Sequence, residues 1–434
     1  MPDRPDSEGR VSETSRDVGG ESRERVEAER RAASLRSRAL TERIHEEIRL
    51  SGGAVTFARF MEMALYEPGL GYYTNPSVAI GRTGDFYTAS NVHPVFGETI
   101  ATAIAKRWDS LGRPDPFWIV EAGAGEGYLA SDILSFVRRR VPDFWPSVRY
   151  AIVEKSSSLR ARQRERLGWL AEADETAAEA KAGLEFRLGF RSGVGRVAWC
   201  DSLAAIRPGG IVGCVLANEL LDAFPVHRVM ASVHGLQEIY VASAESVDGG
   251  EDDREFVEVA GPPSTPELER YFAGQEVELK PGFEAEVNLG ALAWLDEVAV
   301  SLARGYAIVI DYGDEKGGLY DVGHPRGTFL CYRAHAISED PYQDVGLQDI
   351  TAHVNFSALI DRARELGLSV DTFTTQGRFL ITNGILERVP PARLEGGKLV
   401  HDPNAERLSR AILTLVTPEG MGRGFKVLIL GKDA

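Results

Sequence analysis

Residues 117–128 read FWIVEAGAGEGY, and the rest of the chain is interpreted from this stretch outward. An apolar run ends at Glu121 and amphipathic helical spacing begins at Leu129, which predicts a buried parallel strand, a tight turn and a helix. The turn holds three glycines at alternate positions: Gly123, Gly125 and Gly127. Glycines let a ligand approach the backbone, and the helix N-terminus offers free N–H groups. On this stretch alone, a glycine-rich turn without a ligand is the alternative.

The composition is that of a globular protein with an excess of acidic residues. The 434 residues include 65 acidic and 49 basic ones, for a net charge of -16, and 43% are hydrophobic. A chain of this length can bury the core of one elaborated domain or of two. The negative charge argues against nucleic acid and anionic membrane surfaces, whose phosphates need lysine and arginine. A basic peptide partner suits it better.

Cysteine usage and the N-terminal composition indicate the compartment. The three cysteines have no C-x-x-C spacing, so we expect neither a disulfide framework nor a metal site. No apolar stretch is long enough to span a bilayer. Residues 1–36 are highly charged, lack an apolar signal region and are too acidic for a transit peptide. We therefore predict a disordered charged tail, with some helix near its end, and a cytoplasmic location.

Residues 37–112 are predicted to form an N-terminal helical and lid segment. A helix is expected from Ser37 to Leu50, and Thr56 can cap a second helix. An aromatic- and glycine-rich loop follows, and long loops of this kind in compact domains are often functional. Asp85 and Tyr72 are its candidates for ligand contact, although packing in the core is the alternative for most of its aromatic residues.

Two further predicted strands end in carboxylates beyond the glycine turn. The second strand ends at Glu154, where a carboxylate is well placed to bind a ribose diol. A solvated carboxylate at a strand end is the alternative for Glu154. The third strand ends at Asp201, a candidate for contact with an adenine amino group.

The fourth apolar strand, residues 210–219, runs into a polar turn that contains Asn218, Glu219 and Asp222. Ligands of open parallel sheets bind beyond the carboxyl ends of the strands, where the strand order reverses. The first and fourth strands should flank that point. Two acids placed there are costly unless they are paired or used, which favours a functional role.

Strands and helices alternate through the rest of the chain, which predicts a doubly wound α/β sheet. A fifth strand ends at Asp311, and residues 425–431 form a final strand. We assign residues 113–434 to one domain with insertions at 226–290 and 314–356. The first insertion should begin as a hairpin over 226–244 and continue as an acidic, irregular excursion over 245–265.

Several motifs of the chain resemble a known family. They are GAGEG, NELLDAFPVHR, IDYG, GTFLCYRAH, QDITAHVNF and, near the N-terminus, FMEMALYEPGLGYYT and GRTGDFYTAS. Together they look like the class I S-adenosylmethionine-dependent methyltransferases. More narrowly, they resemble the MidA family, the protein-arginine methyltransferases of mitochondrial complex I assembly and their bacterial relatives. The similarity covers roughly residues 40–432.

The resemblance implies a Rossmann-like methyltransferase sheet, S-adenosyl-L-methionine as cofactor, and no metal. The glycines would line the methionine moiety, with Glu154 at the ribose and Asp201 near the adenine. The expected cofactor-binding residues are Asp85, Glu121, Gly123, Ala124, Gly125, Gly127, Glu154, Asp201 and Asn218. The family is associated with symmetric dimethylation of an arginine in the 49-kDa subunit of complex I. The expected partner is therefore a protein substrate, either a complex I subunit or another basic peptide; the oligomeric state stays open, a homodimer included.

The chemistry of arginine suggests catalytic residues. A protonated guanidinium is a poor nucleophile, and a pair of carboxylates can grip it and draw charge away from the attacking nitrogen. We expect Glu219 and Asp222 to do this. His353 is expected to accept the proton or close the site, with a structural loop histidine as the alternative.

Three other functions compete with this interpretation. A methyltransferase acting on a small molecule would need a narrow, enclosed pocket. A non-catalytic assembly factor would keep the fold and bind a client protein, but it would not need acids at the switch point. A nicotinamide oxidoreductase is disfavoured, because its turn reads G-x-G-x-x-G and its ribose acid follows sooner.

Overall fold

The computed structural model describes most of the chain. The described residues are 18–75, 88–172, 192–194, 196–244, 255–333, 336–391, 394–395, 398–399 and 401–434. Asp85, the first part of the predicted tail and part of the acidic excursion lie outside the described residues.

The helices and strands of the described chain alternate as the sequence predicts. The helices are α1 Val18–Leu50, α2 Phe57–Tyr66, α3 Ala89–Val92, α4 Val95–Ser110, α5 Tyr128–Arg140, α6 Ser157–Arg166, α7 Trp169–Glu172, α8 Glu267–Gly274, α9 Leu289–Ser301, α10 Lys316–Leu319, α11 Phe356–Glu365, α12 Gln376–Thr382 and α13 Pro403–Val416. The strands are β1 Ala54–Thr56, β2 Phe117–Ala122, β3 Val148–Val153, β4 Ser192–Val194, β5 Val197–Cys200, β6 Ile211–Asn218, β7 His227–Ser232, β8 Gly235–Ser243, β9 Phe256–Gly261, β10 Glu284–Val287, β11 Leu302–Asp314, β12 Leu330–Arg333, β13 Ala336–Ser338, β14 Asp349–Thr351, β15 Val354–Asn355, β16 Ser369–Thr375, β17 Leu394–Glu395, β18 Lys398–Leu399 and β19 Phe425–Lys432.

The central sheet is a doubly wound, mostly parallel sheet. Its order is β16-β19-β11-β6-β2-β3-β5-β4, and β15 also pairs with β11. Strands β5, β3, β2, β6 and β11 are parallel, and β19 runs antiparallel between β11 and β16. The order reverses between β2 and β6, which creates a crevice at their carboxyl ends. The predicted α/β sheet and its switch point between the first and fourth strands are confirmed.

Both faces of this sheet are covered by helices. All six residues of β2 are buried, as an uninterrupted apolar run in a parallel sheet predicts. Helices α4, α5, α12 and α13 contribute to the core on one face, and α9 and α11 to the core on the other. The carboxyl edge is left for the loops that carry the polar residues.

A second, antiparallel sheet lies beside the N-terminal segment. It consists of β1, β8, β7 and β10 in that order, with β9 paired to β8. The predicted hairpin is present as β7 and β8. The excursion over 245–265 was predicted to be irregular, but residues 256–261 form β9, because an apolar stretch of FVEVA completes the edge of β8. Since β1 also pairs with β8, the N-terminal segment and the insertion form one layer.

One buried arginine anchors this layer. Arg228 has only 2% of its surface exposed and pairs with Glu258 and with Glu284, the latter at 2.7 Å. Its guanidinium lies over the rings of Phe57 and Phe329, 5.1 and 4.5 Å from their centroids. These contacts compensate the burial of its charge and link the N-terminal segment to both insertions.

The structure confirms the predicted start of α2 but places the start of α1 earlier than predicted. The side chain of Thr56 accepts a hydrogen bond from the Arg59 amide at 3.1 Å, so the predicted cap of α2 is confirmed. Helix α1 begins at Val18 instead of near Ser37, so residues 18–36 are helical where the prediction was mostly disorder. Arginine, glutamate and alanine dominate this stretch, and their helix propensity favours a helix even without an apolar face.

Candidate active site

The glycine turn after β2 adopts the conformation that its residues allow. Gly123, Gly125 and Gly127 have φ angles of 68°, 52° and 81°, in the left-handed region that favours glycine. The Gly123 amide donates to the carbonyl of Val153 at the end of β3, which holds the turn at the carboxyl edge. Helix α5 starts directly after Gly127.

The turn leaves room beside its middle glycine. A Cβ atom on Gly125 would meet no described atom within 4 Å, whereas one on Gly123 would lie 2.6 Å from Cδ1 of Leu220. Ala124 between them is buried in the core below. The turn therefore presents bare backbone to the crevice at Gly125, with Leu220 covering its neighbour.

A glutamine that sequence reasoning missed joins the turn to the second strand. The Nε2 atom of Gln163 donates to the carbonyl of Gly125 at 2.8 Å and to Oε2 of Glu154 at 3.2 Å. Its Oε1 atom accepts from Nε1 of Trp199 at 2.9 Å. The sequence did contain a sign of this role. Gln163 is an uncharged residue four positions after Leu159, so it lies on the buried face of a highly charged helix.

Glu154 follows β3 at the carboxyl edge, as predicted. It is 9% exposed, and its Oε1 accepts from the Ser156 amide at 2.8 Å. Burial raises the pKa of Glu154, while the donors from Ser156 and Gln163 offset part of that rise. The amide of Lys155 is a third donor to this carboxylate, which has about four lone-pair sites, so the group can still accept a hydroxyl donor from a sugar.

Asp201 and Glu121 occupy different surroundings. Asp201 directly follows β5 and forms an ion pair with Arg160, whose Nε also donates to the carbonyl of Glu154 at 2.8 Å. This pair ties the ends of β3 and β5 together. Glu121 is buried within β2 and accepts from the Tyr150 hydroxyl at 2.7 Å. Burial raises the pKa of Glu121 to about 7. The cofactor roles predicted for both stay predictions.

Glu219 is held in place by hydrogen bonds. Its backbone has a φ of 51°, which is unusual for a residue other than glycine. Its Oε1 atom accepts from the Ala89 amide at 2.8 Å and from the side-chain amide of Asn218 at 3.1 Å. Burial raises the pKa of Glu219 to about 8. The Oδ1 atom of Asn218 is buried and has no hydrogen-bond partner among the described residues.

Asp311 at the end of the fifth strand organises the turn after β6. It is fully buried, and its Oδ2 accepts from the amides of Leu221 and Leu220 at 2.9 and 3.2 Å. Burial raises the pKa of Asp311 well above its ordinary value, and the charges of Asp222 and Glu219 raise it further. The sequence indicated this strand-end acid without assigning it a role.

Asp222 is the acid with spare capacity. It is 3% exposed, and its Oδ1 has no hydrogen-bond partner among the described residues. Burial raises the pKa of Asp222 to about 6, with Tyr312 and the Ala223 amide acting in the opposite direction. The principal influences on the three acids Glu219, Asp222 and Asp311 include no lysine or arginine within the described chain. Buried acids without a cation favour a cationic ligand.

His353 lies near this cluster, although its role stays a prediction. Its amide donates to the Thr328 hydroxyl at 3.2 Å, and its ring packs edge-on against Tyr312 with centroids 5.5 Å apart. Burial lowers the pKa of His353 to about 4, with His324 and Lys426 adding to the effect. The imidazole is therefore neutral at pH 7.

Two tyrosines of the N-terminal segment reach the same edge, although the sequence singled out their neighbour. Tyr72, the predicted contact residue, is fully buried and packs edge-on against Tyr73. The Tyr66 hydroxyl donates to the carbonyl of Ala223 at 2.9 Å, and the Tyr73 hydroxyl donates to Oδ1 of Asp349 at 2.8 Å. The sequence analysis noted the aromatic residues of this segment, but the sequence does not show which of their rings point toward the acidic residues.

A separate cavity of about 1200 Å³ lies elsewhere on the molecule. It is lined by α1, the β9 edge and residues 339–345, and no residue of the glycine turn borders it. Within the described ranges, no helix is both long and apolar enough to cross a membrane, and no group of histidine, cysteine and acidic residues is arranged to hold a metal ion.

The glycine turn and the strand ends beside it are compatible with S-adenosylmethionine as a ligand. Bare backbone at Gly125, an acid with free acceptor capacity at Glu154 and the unpartnered Oδ1 of Asn218 fit a nucleoside cofactor lying across the switch point. Residues 99–374 match the Methyltransf_28 family, which is described as S-adenosyl-L-methionine-dependent methyltransferase. The fold and the site thus define a methyltransferase that uses S-adenosylmethionine.

Individual relatives narrow the assignment. The chain is 30% identical to the Drosophila melanogaster protein arginine methyltransferase NDUFAF7 homolog, over 88% of this chain and 82% of that one. It is 27% identical to human NDUFAF7, over 88% and 80%. A Burkholderia thailandensis protein of the COG1565 superfamily, crystallised with S-adenosyl-homocysteine, is 32% identical with a TM-score of 0.74, over 93% and 94%. The chain belongs to this methyltransferase family, and the resemblance to the MidA family is confirmed.

The relatives also correct one prediction. The proteins from Drosophila melanogaster, Danio rerio and Homo sapiens are named as mitochondrial. The predicted cytoplasmic location is contradicted by these names. It rested on the composition of the N-terminal residues, and an excess of acids there is a weak guide to compartment.

Proposed function

We propose that this protein methylates an arginine side chain of a protein substrate. The observation that carries the proposal is Asp222, a buried carboxylate with an unpartnered oxygen at the switch point, beside two further acids and no described cation. The relatives named protein arginine methyltransferase support the same substrate. A guanidinium would supply the positive charge that this cluster lacks.

When bound, S-adenosylmethionine supplies an electrophilic methyl group, which a nitrogen lone pair takes by in-line displacement to leave S-adenosylhomocysteine and one proton to be removed. The chain's own residues then have to orient the arginine and exclude water. Asp222 holds the guanidinium and keeps its charge away from the attacking nitrogen. Asp311 keeps Asp222 in place by binding the amides of the turn. His353, neutral at pH 7, is the proposed acceptor of the released proton or a residue that closes the site.

On the cofactor side, the proposed roles follow the residues at each strand end. Gly123, Ala124, Gly125 and Gly127 form the turn along the methionine moiety, and Glu154 binds the ribose hydroxyls. Asp201 lies toward the adenine. Asn218 offers its free Oδ1, and Glu121 supports the turn from within β2.

We propose that residues 37–112 and the insertions at 226–290 and 314–356 form the substrate side of the site. The net charge of -16 favours a basic protein segment. Because of the family resemblance, the first candidate is the 49-kDa-type subunit of respiratory complex I, with a role in assembly of that complex.

The test is methyl transfer to a peptide that contains one arginine, taken from that subunit, with a matched peptide in which lysine replaces the arginine. We expect kcat/KM for the arginine peptide to exceed that for the lysine peptide at least tenfold. Transfer to neither peptide, by protein shown by calorimetry to bind S-adenosylhomocysteine, would contradict the proposed substrate. Equal transfer to both peptides would contradict guanidinium recognition.

A further inference from the structure

A fourth acid, Asp349, lies beside the site and has no role in the proposal above. Asp349 opens β14 and is fully buried. The hydroxyl of Tyr73 donates to its Oδ1 at 2.8 Å, and the adjoining strand β12 places Tyr332 directly opposite it. The acid comes from the second insertion, while Tyr73 comes from the N-terminal segment, so two distant parts of the chain build this arrangement.

Backbone contacts connect Asp349 to the turn that carries Asp222. The amide of Ala352, three residues after Asp349, donates to the carbonyl of Asp222 at 3.0 Å. The Tyr66 hydroxyl donates to the carbonyl of Ala223 at 2.9 Å. The rings of Tyr66 and Tyr73 stack with their centroids 5.5 Å apart, so the ring bonded to the residue after Asp222 packs against the ring bonded to Asp349.

The electrostatics of the tyrosines agree with this geometry. Burial raises the pKa of Tyr66 and of Tyr73 well above the ordinary value, and the charges of Asp349 and Asp222 raise both further. Tyr332 experiences the same two acids after burial. Tyr66 also responds to Glu154. Tyr66 is therefore close enough to the predicted ribose acid and to the two aspartates for the charge of each to raise its pKa.

Glu219 has less freedom to bind a ligand than the sequence suggested. Its Oε1 already accepts from the Ala89 amide and from Asn218, and its backbone amide donates to the carbonyl of Ile310. These bonds connect the end of β6 to the start of α3. A carboxylate used in this way positions its neighbours and keeps less capacity for a guanidinium.

We propose that Asp349 is the second carboxylate that grips the substrate guanidinium, opposite Asp222, and that Tyr66 and Tyr73 form the wall on which the planar cation lies. This inference rests on the proposed methylation of arginine and assigns Glu219 to positioning. A guanidinium is planar, so it can bind carboxylates in bidentate fashion while it stacks on an aromatic ring, whereas the ammonium of lysine is a compact point charge without this planar fork. The two aspartates and the tyrosine wall thus select arginine over lysine.

The experiment compares Asp349→Asn and Tyr73→Phe with the wild type. Both changes keep side-chain shape and remove the charge or the hydroxyl. The control is Asp361→Asn on α11, an exposed acid that pairs with Arg364. Calorimetry measures binding of S-adenosylhomocysteine and then of the arginine peptide in its presence, and initial rates give KM and kcat separately for the arginine and lysine peptides.

We expect all three variants to bind S-adenosylhomocysteine within twofold of the wild type. Asp349→Asn should weaken binding of the arginine peptide about 100-fold and Tyr73→Phe about fivefold, with KM affected more than kcat and with the preference over lysine reduced. Asp361→Asn should match the wild type.

An Asp349→Asn variant that binds and methylates the arginine peptide as the wild type does overturns this inference alone. If that variant does not fold, Tyr73→Phe decides, and an unchanged KM overturns the inference. A wild type that binds S-adenosylhomocysteine but methylates no arginine peptide overturns the proposed function and this inference together.

Discussion

The acidic residues on the two sides of the crevice differ in how completely their carboxylate oxygens are hydrogen-bonded. On the cofactor side, both oxygens of Glu154 accept hydrogen bonds, from the Ser156 amide and from Gln163. On the acceptor side, Asp222 has an oxygen without a partner among the described residues, and burial together with the charge of Asp222 raises the pKa values of Asp311 and Glu219. Each oxygen of the first acid accepts a hydrogen bond, whereas the second acid has an oxygen without a partner among the described residues.

This difference in hydrogen bonding suits two kinds of ligand: the acid on the cofactor side suits a neutral ligand that it orients, and the acids on the acceptor side suit a cation that they attract. A sugar diol donates hydrogen bonds and needs no charge, so a buried carboxylate that neighbouring donors already stabilise suffices. A guanidinium offsets the free energy cost of several buried carboxylates, so the cluster is unfavourable without a ligand and favourable with it. The predictions below test each side against the other.

The largest effect is expected on the cofactor side, from Gly125→Val. The residue has a φ of 52°, and its new side chain would fill the open space beside the turn. Affinity for S-adenosylhomocysteine, measured by calorimetry, should fall at least 100-fold, because the ligand and a β-branched side chain compete for that space. Gly209→Val is the matched control, with a φ of 63°, no described atom within 4 Å and a position before β6, at the opposite edge. Unchanged affinity of Gly125→Val would place the cofactor elsewhere.

On the acceptor side, the next effect comes from comparing Asp222→Asn with Glu219→Gln. We expect Asp222→Asn to lower kcat/KM for the arginine peptide about 100-fold, because it neutralises the acid with the free oxygen. Glu219→Gln keeps an acceptor for the Ala89 amide, and its loss should be about tenfold. Neither variant should change affinity for S-adenosylhomocysteine more than threefold. The reverse order of activity losses would show that Glu219 is the acid in contact with substrate.

The acid cluster also predicts a pH dependence. Burial raises the pKa of Glu219 to about 8 and of Asp222 to about 6, so the folded protein holds these protons more tightly than the unfolded chain. Their contribution to stability is fully present below about pH 4 and is lost as pH rises toward 8. The melting temperature of ligand-free protein should therefore fall between pH 5.5 and 8.5, and less so in Glu219→Gln.

The arginine peptide should reverse this trend, because it binds the ionised acids. Its stabilising effect should grow from pH 5.5 to 8.5 in the presence of S-adenosylhomocysteine. An effect of the peptide that declines with rising pH would argue against a carboxylate grip.

The smallest effect is expected from Tyr66→Phe, which removes one hydroxyl from the wall. The lost hydrogen bond to Ala223 should cost about 1 kcal/mol of unfolding free energy, measured by denaturant titration. KM for the arginine peptide should rise a few-fold. Tyr240→Phe serves as the control, because its hydroxyl also donates to a backbone carbonyl, at 2.8 Å on the exposed side of the second sheet. Equal effects on KM from the two variants would show that Tyr66 contributes to packing and does not contact the substrate.

Most of the cofactor side was accessible from local patterns. The apolar run before Glu121, the glycines after it and the carboxylate at Glu154 follow one another along a strand, a turn and the next strand. Gln163 escaped notice because helical periodicity describes which face is buried, but a hydrogen bond from that face to Gly125 depends on where the helix packs. The sequence places Glu154 at the end of the second strand, but it does not show that Gln163 is its hydrogen-bond partner.

The acceptor side was less accessible for a related reason. Asp222 was found because it follows an apolar strand, but Asp349 lies in a loop-rich segment where no periodicity marks it. Tyr72 was predicted instead of Tyr73 because the sequence does not show which way the side chains of adjacent residues in an irregular loop point. Helix α1 was placed too late, since its first half depends on propensity without an apolar stripe.

The order of strands, their carboxyl-end acids and the glycine turn follow from residues near one another in the chain, because hydrogen bonding and burial in a parallel sheet act on short, regular stretches. The segments that carry Asp222 and Asp349 are more than 100 positions apart and are linked by the hydrogen bond from the Ala352 amide to the Asp222 carbonyl, beside tyrosines of the N-terminal segment. This link depends on how β1 joins the second sheet and on the hydrogen bonds that α2 and the residues after β14 make to the turn after β6. Local sequence patterns do not show how distant elements pack against one another. The proposed acceptor site therefore depends on the tertiary structure, in which the N-terminal segment and the insertions pack beside the central sheet.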